Sequence, residues 1–182
     1  MSKVTYFQLI IDRSISIQPK MEETITVANA QIDLLRKHAL RFPEKELYCS
    51  IYAFNQEVSK IAQLSKPGML RDLSFEALVP DGASALHDAA GIAINDLQQA
   101  ILASENYRKA RVDIVIFSTG YDDASTLYTM EEIAEKIQKL ENTGRWSFSF
   151  FGTTFDAVDR AQKLNIKAKR SMYIGSSLSL KS

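Results

Sequence analysis

The stretch Asp12-Arg13-Ser14-Ile15-Ser16 follows a run of β-branched and aromatic side chains, residues 4–11, that is typical of a strand. Apolar residues then recur at helical spacing over residues 19–35, so the stretch lies where a strand leads into a helix. Its carboxylate and two hydroxyls stand at alternate positions and can point to one place. Open α/β sheets bind ligands at the carboxyl ends of their strands, so we predict a functional site here.

Strand-like and helix-like segments alternate along the rest of the chain. Strand patterns cover residues 47–54, 57–64, 112–117, 146–151 and 171–174, and helical patterns cover residues 86–101, 130–140 and 156–164. Asn55-Gln56 separates the first two of these strands, which indicates a hairpin and one antiparallel edge strand. The alternation elsewhere requires crossover connections and a mostly parallel sheet. We predict one domain over residues 1–182, with a three-layer, Rossmann-like α/β fold and helices on both faces of the sheet.

The composition argues against several classes of protein. The chain has 182 residues, 46% of them hydrophobic, and its 22 basic and 22 acidic side chains balance. A chain without a long Lys/Arg cluster is not expected to bind nucleic acid. No apolar run has the length of a membrane span, and the N-terminal residues lack a secretion signal, so we expect a cytoplasmic protein. The single cysteine, Cys49, lies in a strand pattern and is expected to be a buried, unreactive thiol.

Three motifs together resemble the ligand-binding loops of von Willebrand factor type A domains. Asp12-Arg13-Ser14-Ile15-Ser16 matches the family pattern D-x-S-x-S, residues 81–89 resemble the second loop of the family, and residues 118–123 resemble the third. The resemblance covers residues 4–174, and the order and spacing of the motifs make it specific. We refer to the three loops, residues 12–16, 81–89 and 118–123, as the mouth.

The resemblance implies a metal-ion-dependent adhesion site, in which Mg²⁺ or Mn²⁺ is held by hydroxyls and carboxylates and accepts an acidic residue from a partner protein. By resemblance Asp12, Ser14 and Ser16 are the first-loop ligands, and Ser84 stands where the family has threonine. Thr119 stands where the family has aspartate. The missing carboxylate removes one of two negative charges that would face the cation, so we expect no resident metal.

Other departures from the family lie in the same loops. Ile15 stands where glycine is usual, Ile17 where methionine is common, and His87 where an aromatic or small residue is usual. A weaker alternative keeps a Mg²⁺ ion on the four remaining ligands, with His87 or Asp122 in support. The altered mouth otherwise admits two interpretations, one catalytic and one not.

Our leading hypothesis is a serine-nucleophile site, engineered or diverged from the adhesion site. His87 follows Ser84 by three residues at a helix start and would act as its general base, with Asp12 orienting the imidazole. Ser16 and Ser14 are competing nucleophiles. Such a serine hydrolase would attack a small activated ester or phosphonate electrophile, with slow turnover, because nothing in the sequence marks a shaped substrate pocket.

The alternative is a non-catalytic protein-interaction module whose Mg²⁺ binding is lost or weak. An acidic protein partner is then expected, as for adhesion sites of this family. In each interpretation the same side chains are expected to line the pocket at the mouth: Ser14, Ile15, Thr119, Tyr121 and Thr154.

Overall fold

The computed structural model describes residues 4–104 and 109–174. These residues contain one six-stranded sheet in the order β3-β2-β1-β4-β5-β6, with β3 antiparallel to β2 and the other neighbours parallel. The predicted fold class, a mostly parallel sheet with one antiparallel edge strand, is confirmed. The strands are β1 (Val4–Asp12), β2 (Glu46–Phe54), β3 (Val58–Ser65), β4 (Arg111–Ser118), β5 (Trp146–Gly152) and β6 (Ser171–Tyr173).

Helices cover both faces of the sheet, as predicted. They are α1 (Met21–Arg41), α2 (Leu86–Leu102), α3 (Met130–Asn142) and α4 (Ala157–Lys163). Alternate residues of β1 face opposite layers: Leu9 and Ile11 pack in the cluster that contains α1, whereas Ile10 packs in the cluster that contains α2, α3 and α4. A parallel sheet buried on both faces explains why its central strands are almost continuously apolar.

The first helix begins later than the sequence indicates. Residues 15–20 form a 3₁₀ helix, Ile15–Lys20, so Pro19 precedes α1, which starts at Met21. A hydrogen bond joins this segment to the second loop of the mouth, because the N–H of Ile15 donates to the carbonyl of Gly82 at 2.9 Å. The constraint keeps the turn after β1 tight and delays the helix. At its other end α1 stops at Arg41, ahead of the residues Phe42-Pro43 where a proline cannot continue a helix.

The interior contains large aromatic side chains and the single cysteine, whose burial was expected. Trp146, Phe148 and Phe150 of β5 are buried in the core. Cys49 is completely buried in β2, and its burial raises the pKa of the thiol to about 12. None of the helices among the described residues has the length and apolar character to cross a bilayer.

Candidate functional site

Asp12 lies at the centre of the mouth because β1 and β4 are adjacent parallel strands that end side by side. It is the last residue of β1, fully buried, and Ser118 is the last residue of β4. One carboxylate oxygen of Asp12 accepts hydrogen bonds from the hydroxyls of Ser118 at 2.7 Å and Ser84 at 3.3 Å. The other oxygen accepts the N–H of Ser14 at 2.8 Å. Both oxygens are therefore occupied by groups of the protein itself.

Two of the three candidate serines donate to this carboxylate, Ser14 through its backbone N–H and Ser84 through its hydroxyl. The hydroxyl oxygens of Ser14 and Ser16 lie 2.9 Å apart, with Ser14 buried and Ser16 exposed. Ser84 is buried beside the N-cap of α2, as predicted, but it does not cap the helix: Ala85 is the N-cap, and Asp122 and Ser125 accept the first-turn N–H groups of His87 and Asp88. Ser118 was missed by sequence reasoning, although its place at the end of the strand next to β1 is the signal that could have identified it.

The aspartates of the third loop accept hydrogen bonds from backbone N–H groups of the second loop. Asp122 accepts the backbone N–H of His87 at 2.8 Å and the hydroxyl of Ser125 at 2.5 Å. Asp123 accepts the N–H of Ser84 at 2.7 Å. Thr119, which replaces the family's aspartate, is buried, and its hydroxyl accepts the N–H of Tyr121 at 3.3 Å. The third loop is thus stabilised by its own polar side chains.

The imidazole of His87 is paired with a different carboxylate from the one expected. Its Nδ1 lies 3.0 Å from a carboxylate oxygen of Asp122. Asp12, which we expected to orient the ring, already accepts three hydrogen bonds from other groups. In the described part of the chain no hydrogen bond joins His87 to Ser14, Ser16 or Ser84. The sequence interpretation gives Asp122 a supporting role at a metal site and misses its pairing with His87.

Burial controls the electrostatics of the mouth. It raises the pKa of Asp12 above its ordinary value, although the hydrogen bonds from Ser14, Ser118 and Ser84 oppose the shift. Within residues 4–104 and 109–174, no three His, Cys, Asp or Glu side chains are grouped to hold a metal ion. Among the oxygen donors that the resemblance assigns to a cation, Asp12 is the single carboxylate. Such a donor set suits Mg²⁺ poorly.

Three exposed apolar side chains follow the ends of β1, β4 and β5. Ile15 and Tyr121 are 55% and 52% exposed, and Phe155, in the loop after β5, is 85% exposed. The guanidinium of Arg160 lies over the ring of Tyr121, 3.3 Å from its centroid. Thr154 donates to Asp156 at 2.8 Å, at the start of α4. Beside the mouth, a cavity of about 200 Å³ is lined by His87, Tyr121, Asp122, Arg160 and Lys163, among others.

No protein-family model matches the chain, and no curated protein does. Solved structures do. The von Willebrand factor domain of the type V pili tip protein Mfa5 from Porphyromonas gingivalis superposes with a TM-score of 0.69 and 10% identity, covering 95% of this chain and 90% of that one. A three-domain fragment of Mfa5 gives a TM-score of 0.73 and 9% identity, and this chain, covered completely, spans 49% of its length.

Two further structures come from other organisms. Proximal thread matrix protein 1 from the mussel byssus, described with a zinc-occupied adhesion motif, gives a TM-score of 0.60 and 11% identity over 94% of this chain and 41% of that one. A von Willebrand factor type A protein from Catenulispora acidiphila gives a TM-score of 0.58 and 16% identity over 94% of this chain and 38% of that one. At such low identities the likeness shows the fold alone: this chain has the von Willebrand factor type A fold.

Proposed function

We propose that the chain is a non-catalytic interaction module that binds a partner protein at the mouth without a resident divalent cation. The observation that carries this proposal is the exposed apolar rim formed by Ile15, Tyr121 and Phe155. The three side chains follow the ends of three different parallel strands, so they border one surface. Exposed apolar groups around a polar centre are typical of interaction sites, and aromatic residues supply much of the binding energy there.

The partner that this surface fits presents apolar side chains together with acidic ones. The cavity beside the mouth contains Arg160 and Lys163, and the guanidinium of Arg160 is stacked on Tyr121 within the rim. Arg160 is already ion-paired with Asp156, so Lys163 supplies the positive charge, which beside an exposed aromatic ring favours a carboxylate on the partner. This contact would replace the metal-mediated one that the family resemblance implies.

The charge of the mouth supports binding without a cation. Asp12 is the only carboxylate in the implied ligand set, and burial already disfavours its charged form. The carboxylates of Asp122 and Asp123 are engaged by backbone amides of the second loop. A divalent ion would then be held mainly by neutral hydroxyls, which offset its desolvation poorly.

Calorimetric titration with Mg²⁺, Mn²⁺ and Zn²⁺ tests the cation part of the proposal. We expect no saturable binding to the unmodified chain and a gain of binding in Thr119→Asp, which restores the second carboxylate. Thr126→Asp, at an exposed position of the segment between β4 and α3, is the matched control and should bind no ion. Saturable binding by the unmodified chain that disappears in Asp12→Asn would contradict the proposal.

Affinity capture in the presence of EDTA tests the interaction part. A partner identified by mass spectrometry should bind directly in calorimetry, and Phe155→Ser should weaken that binding at least about tenfold, as expected when an exposed aromatic residue becomes buried against a partner. Leu40→Ser is the control, because Leu40 is 83% exposed at the end of α1, away from the mouth. A partner that binds both variants equally would show that the rim is not the site.

The serine-nucleophile hypothesis is the second candidate, favoured by the 2.9 Å contact between Ser14 and Ser16 and by the position of Ser84 beside Asp12. It requires the imidazole of His87 to reach one of these hydroxyls. Incubation with a fluorophosphonate followed by intact-protein mass spectrometry tests it: a stoichiometric adduct that is lost in His87→Ala would support catalysis. The interaction proposal expects no adduct above that of an exposed serine.

A further inference from the structure

A second polar cavity lies at the amino-terminal ends of β4 and β5, whereas the mouth lies at the carboxyl ends of the strands. Its volume is about 320 Å³, which is at the lower end of the range of about 300–1,000 Å³ for small-ligand sites. Trp146 lines part of this cavity. Its charged lining consists of four basic and two acidic residues: Arg111, Arg145, Lys167, Arg170, Asp113 and Glu141.

The two carboxylates of this cavity already have partners. Glu141 accepts a hydrogen bond from Arg170 at 2.9 Å and one from the N–H of Phe148 at 3.3 Å, and the ammonium of Lys167 lies 3.6 Å from its other oxygen. Asp113 accepts the hydroxyl of Ser147 at 2.5 Å. Neither carboxylate has an ion pair with Arg111, which forms none with any residue in the described ranges.

The cavity therefore concentrates positive charge in a chain that is neutral as a whole. Four basic and two acidic side chains leave a surplus of two charges in the cavity, whereas the chain has 22 of each sign. Arginine side chains that converge from a strand start, a loop and a 3₁₀ helix can bind tetrahedral or planar anions with paired hydrogen bonds. We infer that this cavity is a binding site for a small anion with at least two negative charges, of the phosphate or carboxylate kind.

Titration with pyrophosphate and, separately, with citrate tests this site, both at an ionic strength matched with NaCl. Because Trp146 is the only tryptophan in the chain and lines the cavity, its fluorescence reports binding there, and calorimetry gives the affinity independently. We expect saturable binding of at least one of the two anions. Tighter binding of pyrophosphate would indicate a phosphate ligand, and tighter binding of citrate a carboxylate ligand.

Arg111→Gln should weaken the binding about tenfold, the loss expected when one charge-assisted hydrogen-bonding group is removed. Lys167→Gln is a second test of the same cavity should the first variant fail to fold. Lys37→Gln, an equal charge change on the exposed surface of α1, should leave the affinity unchanged. The absence of saturable binding up to millimolar anion would overturn the inference, and so would equal weakening by Lys37→Gln and the cavity variants. The site is independent of the mouth, so neither result bears on the proposed interaction.

Discussion

At the scale of single residues, the buried carboxylate of Asp12 makes stability depend on pH. Burial raises its pKa in the folded state above the ordinary value of 3.8. Between the unfolded and the folded pKa the native chain therefore binds more protons than the unfolded chain, and the free energy of unfolding falls as pH rises through that window. We expect Asp12→Asn to remove this decline. Urea unfolding of both proteins over a pH series that starts near 3.8 measures it.

The control for this prediction is Asp159→Asn, because Asp159 is exposed on α4. For Asp159→Asn, the free energy of unfolding should depend on pH as it does for the unmodified chain. If Asp12→Asn showed that same pH dependence, the carboxyl of Asp12 would not be the cause of the decline.

Gln8 is a second residue whose polarity conflicts with its surroundings. It lies in the middle of β1, is 1% exposed, and neither atom of its amide has a hydrogen-bond partner among the described residues. An unpaired buried polar group costs about 1–3 kcal/mol. We expect Gln8→Met, a side chain of similar length, to raise the free energy of unfolding in urea by about 1 kcal/mol. Gln63→Met, at an exposed position of β3, should change it by less than about 0.5 kcal/mol, and a loss of stability in Gln8→Met would contradict the prediction.

Among the secondary-structure elements, α2 packs closely at Gly91 against the segment that precedes α3. A Cβ atom at Gly91 would lie 2.4 Å from the ring of Tyr128, and the hydroxyl of that ring accepts a hydrogen bond from Asn95 at 2.6 Å, so the ring is held in place. Overpacking costs about 1–3 kcal/mol, whereas alanine gains about 1 kcal/mol of helix propensity over glycine. We therefore expect Gly91→Ala to lower the free energy of unfolding by about 1 kcal/mol.

A double-mutant cycle separates the two effects on α2. In a Tyr128→Ala background the clash is absent, so Gly91→Ala should become stabilising through helix propensity alone. Both free energies come from urea unfolding. If Gly91→Ala had the same effect in both backgrounds, the close contact with Tyr128 would not determine it.

The order of the strands and helices could be predicted from sequence because an apolar run, or apolar residues at helical spacing, is a local property of the chain. The convergence of Asp12, Ser14 and Ser84 could also be predicted, since it follows from loops meeting at one edge of a parallel sheet. The pairing of His87 with Asp122 could not, because it depends on how a loop 35 residues away folds back on α2. The delayed start of α1 has the same origin, a hydrogen bond between separate loops.

At the scale of the whole molecule, Cys49 can report whether the two faces of the sheet unfold together. It lies in β2 between β1 and β3, with 0% exposure, in the core cluster that α1 shares with the sheet. Local opening of edge strand β3 leaves that cluster in place, so a thiol reagent should reach Cys49 only when the core itself opens. We expect the free energy of opening from labelling rates to equal the free energy of global unfolding in urea.

The urea dependence of labelling provides the decisive comparison. If the sheet and both helical layers form one cooperative unit, the slope of the opening free energy against urea equals the equilibrium m-value, since the same surface is exposed in both processes. A much smaller slope would mean that α1 separates from the sheet while the cluster around α2, α3 and α4 stays folded. Labelling of the Asp12→Asn variant distinguishes the mouth from the core. If this substitution at the carboxyl ends of the strands alters only global stability, it should shift the opening free energy from labelling and the free energy of unfolding in urea by the same amount.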